Sequence, residues 1–153
     1  MKKIIEFYIN GEFYKSCPYS RWDRTYHGIV NSLRRRGFVF GSIDINQVKT
    51  PLAPATEIFL HPSNYDCAFL YHKIFTGYTD KNGYKIYDED TLRTPFGFDG
   101  QVNQHFNSDK YYVRRYHENR WEWDNYDVED FSQYEKVKDV AGDKKKYWEK
   151  IGD

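Results

Sequence analysis

Five histidines, His27, His61, His72, His105 and His117, are the side chains best suited to proton transfer or metal binding near neutral pH. None forms an HExxH or HxH pair or a Cys/His quartet at zinc spacing. His61-Pro62-Ser63 follows the apolar run Ile58-Phe59-Leu60 and makes one HxS triplet. A two-histidine phosphoesterase needs two such triplets, so that one imidazole serves as base and the other as acid. The second position falls on His105-Phe106-Asn107, with an amide where a hydroxyl is required. His61-Pro62-Ser63 therefore reads as a strand end running into a helix cap.

The acidic candidates are equally incomplete. Asp80, Asn82, Gly83 and Glu89 fall on the third, fifth, sixth and twelfth places of an EF-hand loop, but its first ligand position is Tyr78. A hairpin turn at Asp80-Lys81-Asn82-Gly83 followed by the acidic loop Asp88-Glu89-Asp90 accounts for the same residues. Cys17 and Cys67 lack CxxC spacing, and Cys67 falls on the inner face of an expected helix, where cysteine behaves as a small hydrophobe. The sequence has no glycine-rich phosphate loop and no GxSxG elbow. No catalytic set, metal or cofactor is assigned, and both thiols are expected to be free.

One stretch stands apart. Residues 111–131, YYVRRYHENRWEWDNYDVEDF, carry seven Tyr, Trp or Phe among six acids and three arginines. Aromatics interleaved with cations would suit single-stranded nucleic acid, but six acids would repel its phosphates. Tyr, Trp and Arg are also the residues that concentrate energy in protein interfaces. Acids beside them select a partner with a basic surface, the nucleic-acid channel of a nuclease included. If residues 110–116 and 120–126 pair as a hairpin, Trp121 and Trp123 share one face while Glu122 and Asp124 share the other. The tryptophan face is expected to pack as core. Glu122, Asp124 and Asp127, with Arg120 and Tyr126, are expected to meet the partner.

The elements that would position these residues follow from local pattern. Asn10-Gly11 between KIIEFYI (3–9) and EFYK (12–15) predicts a hairpin with a type I′ turn. A helix follows, capped by Ser20 with Asp23 three residues on. It places Trp22, Tyr26, Ile29, Val30 and Leu33 on one face, Arg34–Arg36 in its last turn, and Gly37 at its stop. Residues 38–45 and 56–60 read as strands around a Pro51/Pro54 loop. A second helix is expected over 64–75, with Cys67, Leu70, Tyr71 and Ile74 inward. Residues 84–88 read as a strand, 91–110 as mostly irregular, and 128–150 as one or two helices broken near Ala141-Gly142.

The opening 40 residues are similar to the VapD family of small ferredoxin-like ribonucleases in three features. These are a first strand, a Tyr-containing helix ending in Gly37-Phe38, and a strand carrying Gly41-Ser42. Where that family has an aspartate at the end of the first strand, this sequence reads Phe7-Tyr8-Ile9-Asn10, and the Asn-Gly hairpin changes the topology. The chain is not assigned to that family.

Composition sets the outer bounds. The chain has 153 residues, the length of one ordinary domain, and its 20% aromatic content makes up for few aliphatics. Five Leu and four Ala argue against a helical bundle. The expected architecture is a single α+β domain over 1–153, a mostly antiparallel sheet built from hairpins with two to four helices. Net charge is zero, but Arg and Lys concentrate in 15–37 and acids in 117–135. With no run of 18 apolar residues, a cytoplasmic protein is expected. The functional expectation is a small non-catalytic protein-binding protein. Its concrete form is a phage or mobile-element inhibitor of a host defence nuclease, in the manner of anti-CRISPR proteins. The alternative is a small nuclease or phosphoesterase using His61, His105 or His117 with the basic residues of the first helix.

Overall fold

The computed structural model describes residues 3–44, 46, 48, 52–105, 108–117 and 119–151. By internal contacts the chain falls into two compact units, Lys3–Ile74 and the residues from Phe75 on. The fold is sheet-rich and antiparallel, with one α-helix among the described residues where two to four were expected.

In the first unit, β1 (Ile4–Ile9) and β2 (Glu12–Pro18) form the expected hairpin. Asn10 and Gly11 have φ of 55° and 81°, the two left-handed residues that a type I′ turn demands. The Asn10 side chain also ties the turn to the next strand in the sheet, donating to Cys67 O at 3.1 Å and accepting from Phe69 N–H at 2.9 Å. Helix α1 runs over Trp22–Arg35. The Ser20 cap does not form: a 3-10 turn occupies Tyr19–Arg21, and the helix starts after Arg21 without a side-chain cap. Ile29, Val30 and Leu33 are buried as the periodicity predicted. At the far end Gly37 adopts φ +95° and lies so close to His61 Nε2 that a Cβ there would stand 2.6 Å from it. His61 also packs edge-on to Phe38, and its Nδ1 accepts from Ser63 N–H, so its role is to seat this corner.

The strand expected over 38–45 shrinks to β3 (Val39–Phe40), with residue 45 outside the described set, while β4 (Glu57–Leu60) forms as read. The expected helix over 64–75 is instead the long strand β5 (Cys67–Thr79). Its buried residues include Ala68 and Leu70 on one face and Tyr71 and Lys73 on the other. A strand covered on both faces loses its period-2 signal, and the remaining apolar positions happened to fall on a helical stripe. Sheet order in this unit is β2-β1-β5-β4-β3. Ile5, Phe7, Ile29, Val30, Leu33, Phe38, Phe59, Ala68 and Leu70 form the core between sheet and helix.

In the second unit, the end of β5 pairs with β6 (Lys85–Tyr87) across the turn at Asp80. Asp80 Oδ1 accepts N–H groups of Asn82 and Tyr84, and Oδ2 accepts that of Lys136, so this carboxylate organises backbone as the hairpin reading required. The 91–110 region is not irregular: it forms β7 (Thr91–Arg93) and β8 (Asp99–Gln104). β9 (Tyr111–His117), β10 (Glu122–Val128) and β11 (Glu135–Lys138) complete a sheet of order β10-β9-β8-β7-β11. Where one or two helices were expected over 128–150, no α-helix forms among the described residues, and the helical structure there is a 3-10 turn at Lys145–Tyr147. Phe131 and Tyr134 turn into the core with Ile86, Leu92, Val102, Tyr111, Val113 and Val128, and β11 follows. Among the charges of 129–139, one ammonium is withdrawn from solvent altogether.

That charge is Lys136. Its ammonium is fully buried and bonds Asp139 Oδ2 at 2.5 Å, Asp90 Oδ2 at 3.1 Å and Lys85 O at 2.9 Å, with the Tyr87 and Trp148 rings at 5.0 and 5.3 Å. Asp90 also accepts from Tyr87 N–H and Val140 N–H. Burial pushes the Asp90 carboxyl up to about 7, against the opposing pull of Lys136. Burial alone would lower the Lys136 ammonium, but Asp90 and Asp139 outweigh it and raise its pKa.

Candidate functional site: the outer face of the β9–β10 hairpin

The hairpin expected from the 111–131 stretch exists, in the register Trp123↔Tyr116, Asn125↔Arg114, Tyr126↔Val113 and Val128↔Tyr111. Which face is core is decided by Val113 and Val128, the only aliphatic residues of the stretch, which share one face with Tyr111 and with Val102 on β8. Period-2 alternation then puts Tyr126, Asp124 and Glu122 on that same core-side face. Trp123, Asn125 and Asp127 project from the opposite, outer face.

This inverts the expected arrangement. Trp123 is 49% exposed and Trp121 is 83% exposed. Trp121 does not share a strand face with Trp123, because it sits in the turn at φ 53°, ahead of the strand. Neither ring is core. Nor do Glu122, Asp124 and Asp127 share a face.

The core-side acids are internally engaged. Arg120 donates to Asp124 Oδ2 at 2.8 Å and lies 3.4 Å from Glu122, while His117 Nε2 stands 2.5 Å from Asp124 without a well-aligned hydrogen bond. Desolvation works to raise the Asp124 pKa, but the Arg120 and His117 charges, with the Arg120 hydrogen bond, outweigh it and hold the carboxyl below its ordinary value. Tyr126, half-buried, packs on Phe98 at 4.8 Å, and the Arg115 guanidinium lies 4.8 Å from the Phe98 ring centroid. Asp127, on the outer face, meets His105 Nε2 at 2.6 Å.

The outer face carries a different chemistry. The Arg114 guanidinium stacks 4.1 Å from the Trp123 ring centroid, and Tyr116 lies against the same ring at 5.0 Å. Arg114 Nε is shielded from water and has no hydrogen-bond partner among the described residues. These side chains border an open groove of about 620 Å³, continued by Gln101, Thr91 and the Arg93–Asp99 pair, whose ends are 3.2 Å apart. β10 is also the edge strand of its sheet, so one side of its backbone has no strand neighbour among the described residues.

The remaining histidines are dispersed. His27 pairs with Asp23 one helical turn away, and His72 lies against Phe7 and Trp22. Among the described residues no group of three or more His, Cys, Asp or Glu side chains is placed to hold a metal ion. Cys17 and Cys67 are unpaired. No helix among the described residues is long and apolar enough to cross a membrane.

Geometry and fold define a β-rich protein with an arginine–tryptophan face on an exposed sheet edge. No protein-family model, curated protein or solved structure matches the chain.

Proposed function

We propose that this is a non-catalytic protein-binding protein whose partner seats on the β9–β10 hairpin. The observation that carries the reading is the exposed Trp123–Arg114–Tyr116 cluster beside the exposed Trp121. Tyr, Trp and Arg are the residue types over-represented where interface energy concentrates, and an arginine already held over a ring loses little further freedom on binding.

Charge selects the partner. Residues 111–131 hold six acids against three arginines, and Glu122 and Asp127 stay exposed despite their local pairs. The summed field around the hairpin is therefore acidic and steers a partner with a basic surface. An inhibitor covering the nucleic-acid channel of a nuclease, of the kind a phage would carry against host defence, is the specific form of this reading. Arg120 and Tyr126 act within it as supports, fixing Asp124 and the base of β10.

Affinity capture with wild-type protein and with Trp123→Ala tests the reading. A protein retained in stoichiometric amount by the wild type and lost by the variant, at unchanged melting temperature, is the expected result. Equal capture by both removes the hairpin from the interface.

A second reading draws on one observation, the His105–Asp127 contact at 2.6 Å on the outer face that also bears Arg114. A carboxylate orienting an imidazole is what a phosphodiesterase would use to set a general base. Phosphodiester turnover abolished by His105→Ala would replace the binding proposal.

A further inference from the structure

The first unit contains a cavity of about 260 Å³ under the start of α1, lined by Phe7, Trp22, Tyr26, Glu57, Leu70 and His72, among others. It is unrelated to the hairpin face, and the inference drawn from it does not depend on the proposed function.

The cavity follows from register. Glu57 pairs with Leu70 and Phe59 with Ala68, so Glu57 projects from the sheet face that carries the core and lies beneath α1. Phe7 and Leu70, each 1% exposed, form the floor. Trp22 and Tyr26, one turn apart on α1, supply the near wall, their rings 6.2 Å apart. His72 supplies the far wall, its ring 6.4 Å from Trp22 and 6.0 Å from Phe7. Glu57 is the one acid among the lining residues. Both its oxygens lie within 2.6 Å of the Tyr26 hydroxyl, whose single proton they share, and among the described residues it has no ion-pair partner. Burial, the hydrogen bond to Glu57 and its charge push the Tyr26 phenol up to about 12, with Arg34 opposing. The phenol thus remains a donor and holds the carboxylate in place.

We infer that this cavity binds an organic cation, an alkylated ammonium group seated among Trp22, Tyr26 and Phe7 with Glu57 as its counter-charge. Ring faces attract cations through their quadrupoles, and the attraction grows as water is excluded. A half-buried carboxylate without an ion-pair partner among the described residues, set in an apolar aromatic wall, gains when a cation enters beside it. A fully hydrated metal ion gains little here, because one carboxylate in an apolar wall does not replace its oxygen shell. Size agrees: ligand pockets usually run to roughly 300–1,000 Å³, so this one holds a headgroup and leaves the remainder of its bearer outside.

The headgroup can belong to a free small molecule such as choline or to a methylated lysine of a partner. The experiment separates them. Tetramethylammonium is titrated into the whole protein while the Trp22 indole N–H resonance is followed, with tert-butyl alcohol as a neutral isostere. A saturable shift with tetramethylammonium, none with the alcohol, and affinity reduced about tenfold or more in Glu57→Gln is the expected result. Glu57→Gln keeps an acceptor for Tyr26, so its fold is preserved where that of Trp22→Ala could be questioned. Tighter binding of choline than of a trimethyllysine peptide assigns a free metabolite, and the reverse order assigns a partner side chain. Absence of a saturable shift, equal binding of the alcohol, or wild-type affinity in Glu57→Gln overturns the inference.

Discussion

Among the cations of the second unit that lie over aromatic rings, Lys136 and Arg114 are placed in opposite ways. Lys136 is buried under Tyr87 and Trp148 and is met by Asp139, Asp90 and the Lys85 carbonyl. Arg114 lies over Trp123 on the outer face, with its Nε unmatched among the described residues. The lesson lies in the accounting of donors. A buried ammonium with three oxygen partners is complete and belongs to the architecture. A guanidinium lying on an outer face over a half-exposed tryptophan leaves ring surface for a partner.

The largest effect should come from the complete site. Lys136→Met leaves Asp90 and Asp139 buried without their cation, a change that costs roughly 3–5 kcal/mol when one partner of a buried ionic cluster is removed. Urea denaturation should find the variant unfolded or nearly so. A loss under 1 kcal/mol would mean that the cluster is solvated and the contrast false.

A second difference concerns pH. Asp90 has a folded-state pKa of about 7 against an ordinary 3.8, so the native state holds this proton more tightly than the unfolded chain. Its contribution is fully favourable below about pH 4 and is lost as pH rises towards and through 7. Melting temperatures between pH 4 and 8 should therefore carry a downward component that Asp90→Asn removes. Identical pH profiles for wild type and variant would show that Asp90 ionises freely.

Trp123→Ala comes third. With half of the ring exposed, its stability cost should be about 1 kcal/mol, the scale of an exposed cation–π contact, while partner binding weakens by about 2 kcal/mol or more. A stability loss of 3–5 kcal/mol, typical of a core aromatic, would restore the inward tryptophan face. The smallest effect should be that of Glu122→Lys, whose ion pair is exposed and long at 3.4 Å. Its melting temperature should hold within a few degrees, and its association with a basic partner should slow and lose salt dependence. Salt-independent association in the wild type would count against acidic steering.

Much of this was legible in the sequence wherever a turn residue or a strict alternation spoke. Asn10-Gly11, Gly37, the Asp80–Gly83 turn and the 111–131 hairpin stand where the residue types put them. The failures have a common physical origin. β5 is buried on both faces, and β11 carries a buried lysine, so both lose the alternation by which strands are recognised. The inverted hairpin face came from weighing the largest rings above the aliphatic residues. Val113 and Val128 pointed to the core all along, since an aliphatic side chain has no polar handle to leave in water. Glu57 and the cavity beside α1 left no local signal. They depend on a pairing between β4 and β5 that a helical reading of 64–75 excluded.

The central claim is that the outer face of β9–β10, and not the core-side acids, anchors a partner protein. Its most direct measurement is partner retention by Trp123→Ala and Asp124→Asn, each at matched folded concentration. The account predicts that Trp123→Ala loses the partner while Asp124→Asn, whose carboxylate is already met by Arg120 and His117, retains it. Retention by Trp123→Ala with loss in Asp124→Asn would contradict it.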